Sequence, residues 1–81
     1  MQDRSGKEVN IKDIVYAVDG LSMVRYLVVS EGQPRGTINC QAVDENLEII
    51  PQPKKCKFKQ LKLVDCFLHS KLVNDKYIKA L

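Results

Sequence analysis

The sequence predicts a mainly β fold, a small barrel of about five strands with a C-terminal helix, built as a single domain over residues 1–81. Three observations predict it. Asp19-Gly20 lies between two runs rich in Val, Ile, Tyr and Leu, and Asp-Gly between apolar runs is the strongest short-range hairpin signal a sequence offers. Thr37 to Val43 alternates, with Ile38, Cys40 and Ala42 on one face and Thr37, Asn39 and Gln41 on the other, as a half-buried strand does. At the C-terminus, Val73, Tyr77 and Leu81 recur at helical spacing, with Leu68 and Leu72 one stripe over. Short strands joined by tight turns close most easily as a strongly bent barrel, which removes free edges.

The first hairpin, Ile14 to Val29, organises the chain. A two-residue Asp19-Gly20 loop sets Val18 against Leu21, Tyr16 against Met23 and Ile14 against Arg25. The opposite face pairs Ala17 with Ser22, Val15 with Val24 and Asp13 with Tyr26. The first face, with Leu27 and Val29, is the more apolar. The second, with Val15, Ala17, Val24, Tyr26 and Val28, is weaker but still not polar. Strands covered on both faces read as near-continuous apolar runs, so one face should fill the core and something else should cover the other.

The remaining elements follow in order. Glu8 to Ile11 reads as a short strand with Val9 and Ile11 inward, and Lys12-Asp13 turns the chain into the hairpin. Ser30 to Gly36, with two glycines and a proline, is a loop. After Thr37 to Val43, Asp44-Glu45-Asn46 is a turn with Asn46 as its left-handed residue. Leu47 to Ile50 then returns as a strand, ended by Pro51-Gln52-Pro53. Lys54 to Val64 is a further strand whose alternation slips at Gln60-Leu61, which suggests a bulge or a helical turn. Asp65 can cap a helix over Cys66 to about Ala80, so residues 66–81 form a helical segment. The rival reading extends the strand through Leu68 and starts a shorter helix near Asn74.

Composition excludes some function classes. Hydrophobic residues make up 44% and charged residues 28%, as in ordinary globular proteins. The net charge of +3 is compatible with nucleic acid but well short of demanding it. No apolar run approaches a membrane span, and the N-terminus has no hydrophobic signal core. Three irregularly spaced cysteines without a CxxC pair then read as reduced thiols, which points to the cytoplasm.

The run Asp3-Arg4-Ser5-Gly6-Lys7-Glu8-Val9-Asn10-Ile11-Lys12-Asp13-Ile14-Val15-Tyr16 resembles the first-strand region of SH3-like small barrels of the KOW and Tudor type. It is also similar to short accessory proteins of tailed bacteriophages that open on Asp-x-x-Gly-x-Glu-x-x-x-x-Asp-x-Val. The glycine-centred KOW signature is absent, and Lys12 stands where a glycine usually precedes the aspartate. The resemblance covers about the first third of the chain and implies a fold more than an activity.

Lys54, Lys55, Lys57, Lys59 and Lys62 form the main candidate contact surface. Lysines on one strand face lie about 6.6–7 Å apart, close to the spacing of successive phosphates, so the stripe suits a salt-dependent nucleic-acid contact. The competing reading is a solvated face that guards an edge against aggregation. Cys66 and His69, with Cys40 and Cys56, make a nominal Cys₃His set. Zinc sites bring ligands in close pairs, however, and Cys40 and Cys56 fall on expected core faces, so no metal is assigned. With one histidine and no oxyanion motif, no catalytic residue and no cofactor are assigned either. Arg25 reads as a strand-end charge reaching solvent. The C-terminal apolar stripe reads as cover for the hairpin's second face or as a docking helix.

The expectation is a non-enzymatic protein-interaction module, of the phage accessory type, that docks on a larger host protein or nucleoprotein assembly. The alternative is a nucleic-acid-binding protein using the Lys54–Lys62 face.

Overall fold

The computed structural model describes residues 1–51 and 58–80. Six antiparallel strands form one sheet: β1 (Ile14–Asp19), β2 (Ser22–Glu31), β3 (Thr37–Val43), β4 (Lys59–Lys62), β5 (Phe67–Val73) and β6 (Lys76–Lys79). Their order is β4-β3-β2-β1-β5-β6. The mainly β class holds, but the barrel is not closed: among the described residues no ladder joins the edge strands β4 and β6.

The sheet is nonetheless bent by its own connections. Only a 3₁₀ turn, Leu63–Asp65, and Cys66 separate β4 from β5, although these strands stand four positions apart in the sheet. Four strand spacings in a flat sheet come to roughly 19 Å. Five Cα steps span at most about 17 Å when fully extended, and a 3₁₀ turn rises only about 2 Å per residue. The link therefore forces the sheet to curl until the end of β4 meets the start of β5.

The concave side of that curl is the core. Val15 and Ala17 from β1, Tyr26 and Val28 from β2, Ile38 and Cys40 from β3 and Leu68 from β5 cluster there. Val9, Leu63 and Cys66 complete the cluster from outside the strands. The core thus uses the weaker face of the hairpin. The more apolar face points outward, with Val18 at 67% and Met23 at 53% exposure, while Ile14 on that face is fully buried. Volume explains the choice. Apart from Tyr26, whose hydroxyl reaches Asp19, the inward residues of the hairpin are small: the interior of a curled sheet this small takes Ala17, Val15 and Val28 more readily than Tyr16, Met23 and Leu27, and interiors tolerate neither voids nor overpacking.

Hairpin register differs from expectation in a related way. Asp19 pairs with Ser22, Val18 with Met23, Tyr16 with Arg25 and Ile14 with Leu27. The loop is therefore Gly20-Leu21, with Gly20 at φ 64°, and glycine at the first position of a two-residue loop suits a II′ turn. Asp19 is kept in the strand, where its carboxylate accepts hydrogen bonds from the Tyr26 hydroxyl at 3.2 Å and the Lys59 ammonium at 2.9 Å. Each partner moves by two residues, so the two faces keep their membership.

The C-terminal helix over residues 66–81 is not formed. Phe67 to Lys79 is instead a second hairpin, β5–β6, turning at Asn74 (φ 50°) and Asp75 (φ 63°). Two successive positive φ values are what a I′ turn demands, and Asn and Asp tolerate them best. Burial alternates through Cys66, Leu68 and Ser70, which is the strand period. The helical stripe of Leu68, Leu72 and Val73 was coincident with it. Two smaller expectations also shrink. Glu8 to Ile11 contributes one bridge, Gln2 to Glu8, and Leu47 to Ile50 contributes one, Val43 to Ile49. Ile11 is exposed. In the turn after β3 the left-handed residue is Leu47 (φ 63°), not Asn46. Asp44 takes the N–H groups of Asn46 and Glu48 on its carboxylate.

Two buried carboxylates fasten the N-terminal segment and β1 to β5. Asp3 accepts from the backbone N–H of Leu68 at 2.6 Å, from Ser5 and Lys7 N–H at 2.9 Å each, and from the Ser5 hydroxyl. Asp13 accepts from Leu72 N–H at 3.0 Å, from Asn10 N–H at 2.8 Å and from Lys71 Nζ at 3.3 Å. Leu68 and Leu72 flank the point where the β1–β5 ladder shifts register, so the carboxylates take N–H groups beside the break. Burial alone pushes the Asp3 carboxyl up, but the hydrogen bonds from Leu68, Lys7 and Ser5 together outweigh it and hold the group below its ordinary value.

A lowered carboxyl pKa contributes stability that is complete above the unfolded-state value and is lost as pH falls through the folded one. Asp3→Ala should cost about 1–3 kcal/mol, the price of leaving buried donors unpaired, in urea unfolding at neutral pH. The variant should also lose part of the wild-type decline in stability on acidification below about pH 4. A neutral-pH loss under about 0.5 kcal/mol, the range of an ordinary surface change, would show that Asp3 does not hold β5.

Candidate functional site

The expected lysine face divides on inspection. Lys54, Lys55 and Lys57, and with them Cys56, lie outside the described residues. Lys59 pairs with Cys40 and Lys62 with Thr37 in an unbroken β3–β4 ladder. Three positions apart on one strand, Lys59 and Lys62 point to opposite faces. The slip expected at Gln60-Leu61 is absent, and the helical turn falls later, at Leu63–Asp65.

Lys59 is committed to the fold. Its ammonium lies 2.9 Å from Asp19 Oδ2, 3.4 Å from the Tyr26 hydroxyl and 5.6 Å from the centre of the Tyr26 ring. Asp19 belongs to β1, three strands away from β4 in the sheet, so this contact crosses the mouth of the concave side over Tyr26. The Lys59 hydrogen bond, with its charge and the Tyr26 hydroxyl behind it, holds the Asp19 carboxyl below its ordinary value. In turn the Asp19 hydrogen bond pushes the Lys59 ammonium up against the opposing effect of burial.

Among the described residues, Cys40, Cys66 and His69 do not converge on a common site. Cys40 and Cys66 sit in the core, with thiols directed at the backbone carbonyls of Lys59 (3.1 Å) and Lys62 (3.3 Å). Burial pushes the Cys40 thiol up to about 12 and the Cys66 thiol up to about 11. Neither supplies a thiolate near neutral pH. His69 lies on a strand rather than a helix, so the i, i+3 relation to Cys66 carries no ligand geometry. Among the described residues no group of three or more His, Cys, Asp and Glu is placed to hold a metal ion. No helix of the described residues is long and apolar enough to cross a membrane.

What the strands do bring together is on the outer face of β1, β2 and β5. Tyr16 stacks on Phe67 with ring centres 5.6 Å apart and meets the His69 ring edge-on at 5.9 Å. The Arg4 guanidinium lies 5.9 Å from the centre of the Phe67 ring. On the other side of Tyr16 its strand partner is Arg25, which in turn pairs with Val43 on β3. Arg25 is half-buried in mid-strand, not a strand-end charge, and its Nε is buried with no hydrogen-bond partner. Burial, with the nearby Arg25 and Lys79 charges, holds the His69 imidazole below its ordinary value, so it is neutral at pH 7.

Val18 and Met23 continue this surface toward the exposed hairpin tip at Leu21, and Leu27 continues it the other way, opposite Ile14. The result is a band running Arg4, Phe67, Tyr16, Arg25 across the strands, with aliphatic and thioether side chains along them. The sequence contained this face as the more apolar side of the hairpin. Its outward orientation needed the volume argument, and the addition of Phe67 and His69 needed β5 to be a strand. No family model, curated protein or solved structure matches the chain.

Lys59→Gln should release Asp19. Its carboxyl, followed by carbon-detected NMR titration, should move up toward 3.8, the ordinary aspartate value. An unmoved titration would show that the ion pair across the concave mouth is not formed in solution.

Proposed function

We propose that this protein is a non-enzymatic protein-interaction module that docks through the outer face of the β1–β2 hairpin. One observation carries the reading: the more apolar face of the central hairpin points away from the core, leaving Val18, Leu21 and Met23 exposed beside the half-buried Tyr16, Leu27 and Phe67. A contiguous apolar patch bordered by aromatic and arginine side chains has the composition of a binding surface. The aromatic–cation row favours a protein over a stacked nucleic-acid strand. One face of the Tyr16 ring is occupied by Phe67, and Arg4 lies over the Phe67 ring, whereas base stacking requires open ring faces.

The small-barrel resemblance fits with this. Strands β1 to β5 in the order β4-β3-β2-β1-β5, with a 3₁₀ turn before β5, support an SH3-like architecture extended by β6. Lys12 adopts φ 76°, which gives a physical reason for glycine at that place in the similar opening phrase. On this reading the chain is an accessory protein of the phage type, working on a larger host protein or nucleoprotein assembly.

The test is affinity capture from a bacterial lysate, with and without nuclease, comparing the wild type with a Val18→Glu, Met23→Glu double variant and with Lys76→Gln. A partner retained after nuclease, lost with the double variant and kept by Lys76→Gln is the expected result. The double variant should melt near the wild-type temperature, since exposed positions tolerate charge. Capture that disappears with nuclease and survives the double variant would move the assignment to the nucleic-acid reading through Lys54, Lys55, Lys57 and Lys62.

A further inference from the structure

Resting on the docking reading, we infer that the occupant of the outer face is an acidic, apolar protein segment, one of whose carboxylates pairs with Arg25. The outer positions of β1, β2 and β3 are Ile14, Tyr16 and Val18, Met23, Arg25 and Leu27, and Asn39, Gln41 and Val43, of which Ile14 and Val43 are buried. None is acidic. Arg25 is the cation at the centre of that surface, with Tyr16 and Val43 directly opposite it and Met23 and Leu27 two residues away along its own strand. Arg4 adds a second positive charge at the Phe67 end, and the neutral His69 adds a ring that can donate or accept.

The state of Arg25 gives the face its specificity. A buried guanidinium N–H with no acceptor is uncommon and costly, and Arg25 Nε is in that state. Among the described residues every ion pair involves some other cation: the N-terminus with Glu8, Lys59 with Asp19 and Lys71 with Asp13. A guanidinium held among apolar side chains recognises a carboxylate through two parallel N–H donors, more strongly than it would in open water. Apolar residues flanking that carboxylate would cover Met23, Val18 and Leu27. A second copy docked through this same face suits it poorly, because it would bring Arg25 and Arg4 toward like charges, and none of the outer positions of β1 to β3 is acidic.

The probe is an array of random 12-residue peptides challenged with the fluorescently labelled protein. The strongest binders are then resynthesised and titrated in solution while amide shifts are followed by NMR. The expected binders carry Asp or Glu flanked by aromatic or aliphatic residues and shift Tyr16, Met23 and Arg25. Arg25→Gln should weaken them at least tenfold. Changing the peptide's own acidic residue to its amide should weaken them equally against the wild-type protein, a comparison that does not depend on how well Arg25→Gln folds. Binders that shift this face but show no acidic preference and ignore both changes would overturn the acidic assignment while leaving the docking face in place. Binders that shift none of these residues would overturn the docking face as well. Two further results would also contradict the inference: tighter binding of a (dT)20 oligonucleotide to the same residues, and a dimer in sedimentation that Met23→Glu dissociates.

Discussion

The short passage from β4 to β5 is the constraint on which the rest of this structure depends. Too few residues separate the strands for the sheet to lie flat, so the sheet curls and its interior becomes small. A small interior selects the hairpin face with Val15, Ala17 and Val28 and turns Tyr16, Met23 and Leu27 outward. The same curl brings Lys59 across to Asp19 over Tyr26 and sets β5 beside β1. There Asp3 and Asp13 take the N–H groups of Leu68 and Leu72. The candidate binding face is thus a by-product of core geometry: the chain has two apolar hairpin faces and room inside for one.

Buried carboxylates serve as backbone acceptors in this arrangement. A register break in a ladder leaves donors that the neighbouring strand cannot satisfy, and the curl places Leu68 away from water. A side-chain carboxylate that accepts several N–H groups answers this with one residue. At Asp3 the hydrogen bonds favour the ionised form more than burial opposes it. Arg25 is the converse case on the outer face, a charge whose buried donor the fold leaves unanswered.

Local features were legible in the sequence and long-range ones were not. Thr37–Val43 is readable in extent because its alternation is undisturbed and sends Ile38 and Cys40 inward, although Thr37 and Val43 on the other face are buried as well. The first hairpin was readable in place and in faces, but its loop moved by one residue since Asp19 has a partner, Lys59, forty positions away. Phe67 to Lys79 failed because Leu68, Leu72, Val73 and Tyr77 satisfy a helical period as well as they fit a strand, and the decision lay with Asn74-Asp75 and with Asp3 and Asp13. The spacing of Lys55, Lys57 and Lys59 puts those lysines on one face, but of the two described lysines in the stripe Lys59 and Lys62 occupy opposite faces of β4. No local pattern marks which of two apolar faces will be inside. The outer band around Arg25 was therefore visible as residues but not as a surface.

The most direct test compares the two faces of the β1–β2 hairpin by urea unfolding of three variants, Val28→Ala, Val18→Ser and Met23→Ser. Val28 is fully buried, while Val18 and Met23 are mostly exposed. The expected result is a loss of about 1.5–3 kcal/mol for Val28→Ala and changes within about 0.5 kcal/mol for the two outer variants. Large losses at Val18 and Met23 with a near-neutral Val28→Ala would mean that the hairpin faces the other way, and would remove the proposed binding surface with it.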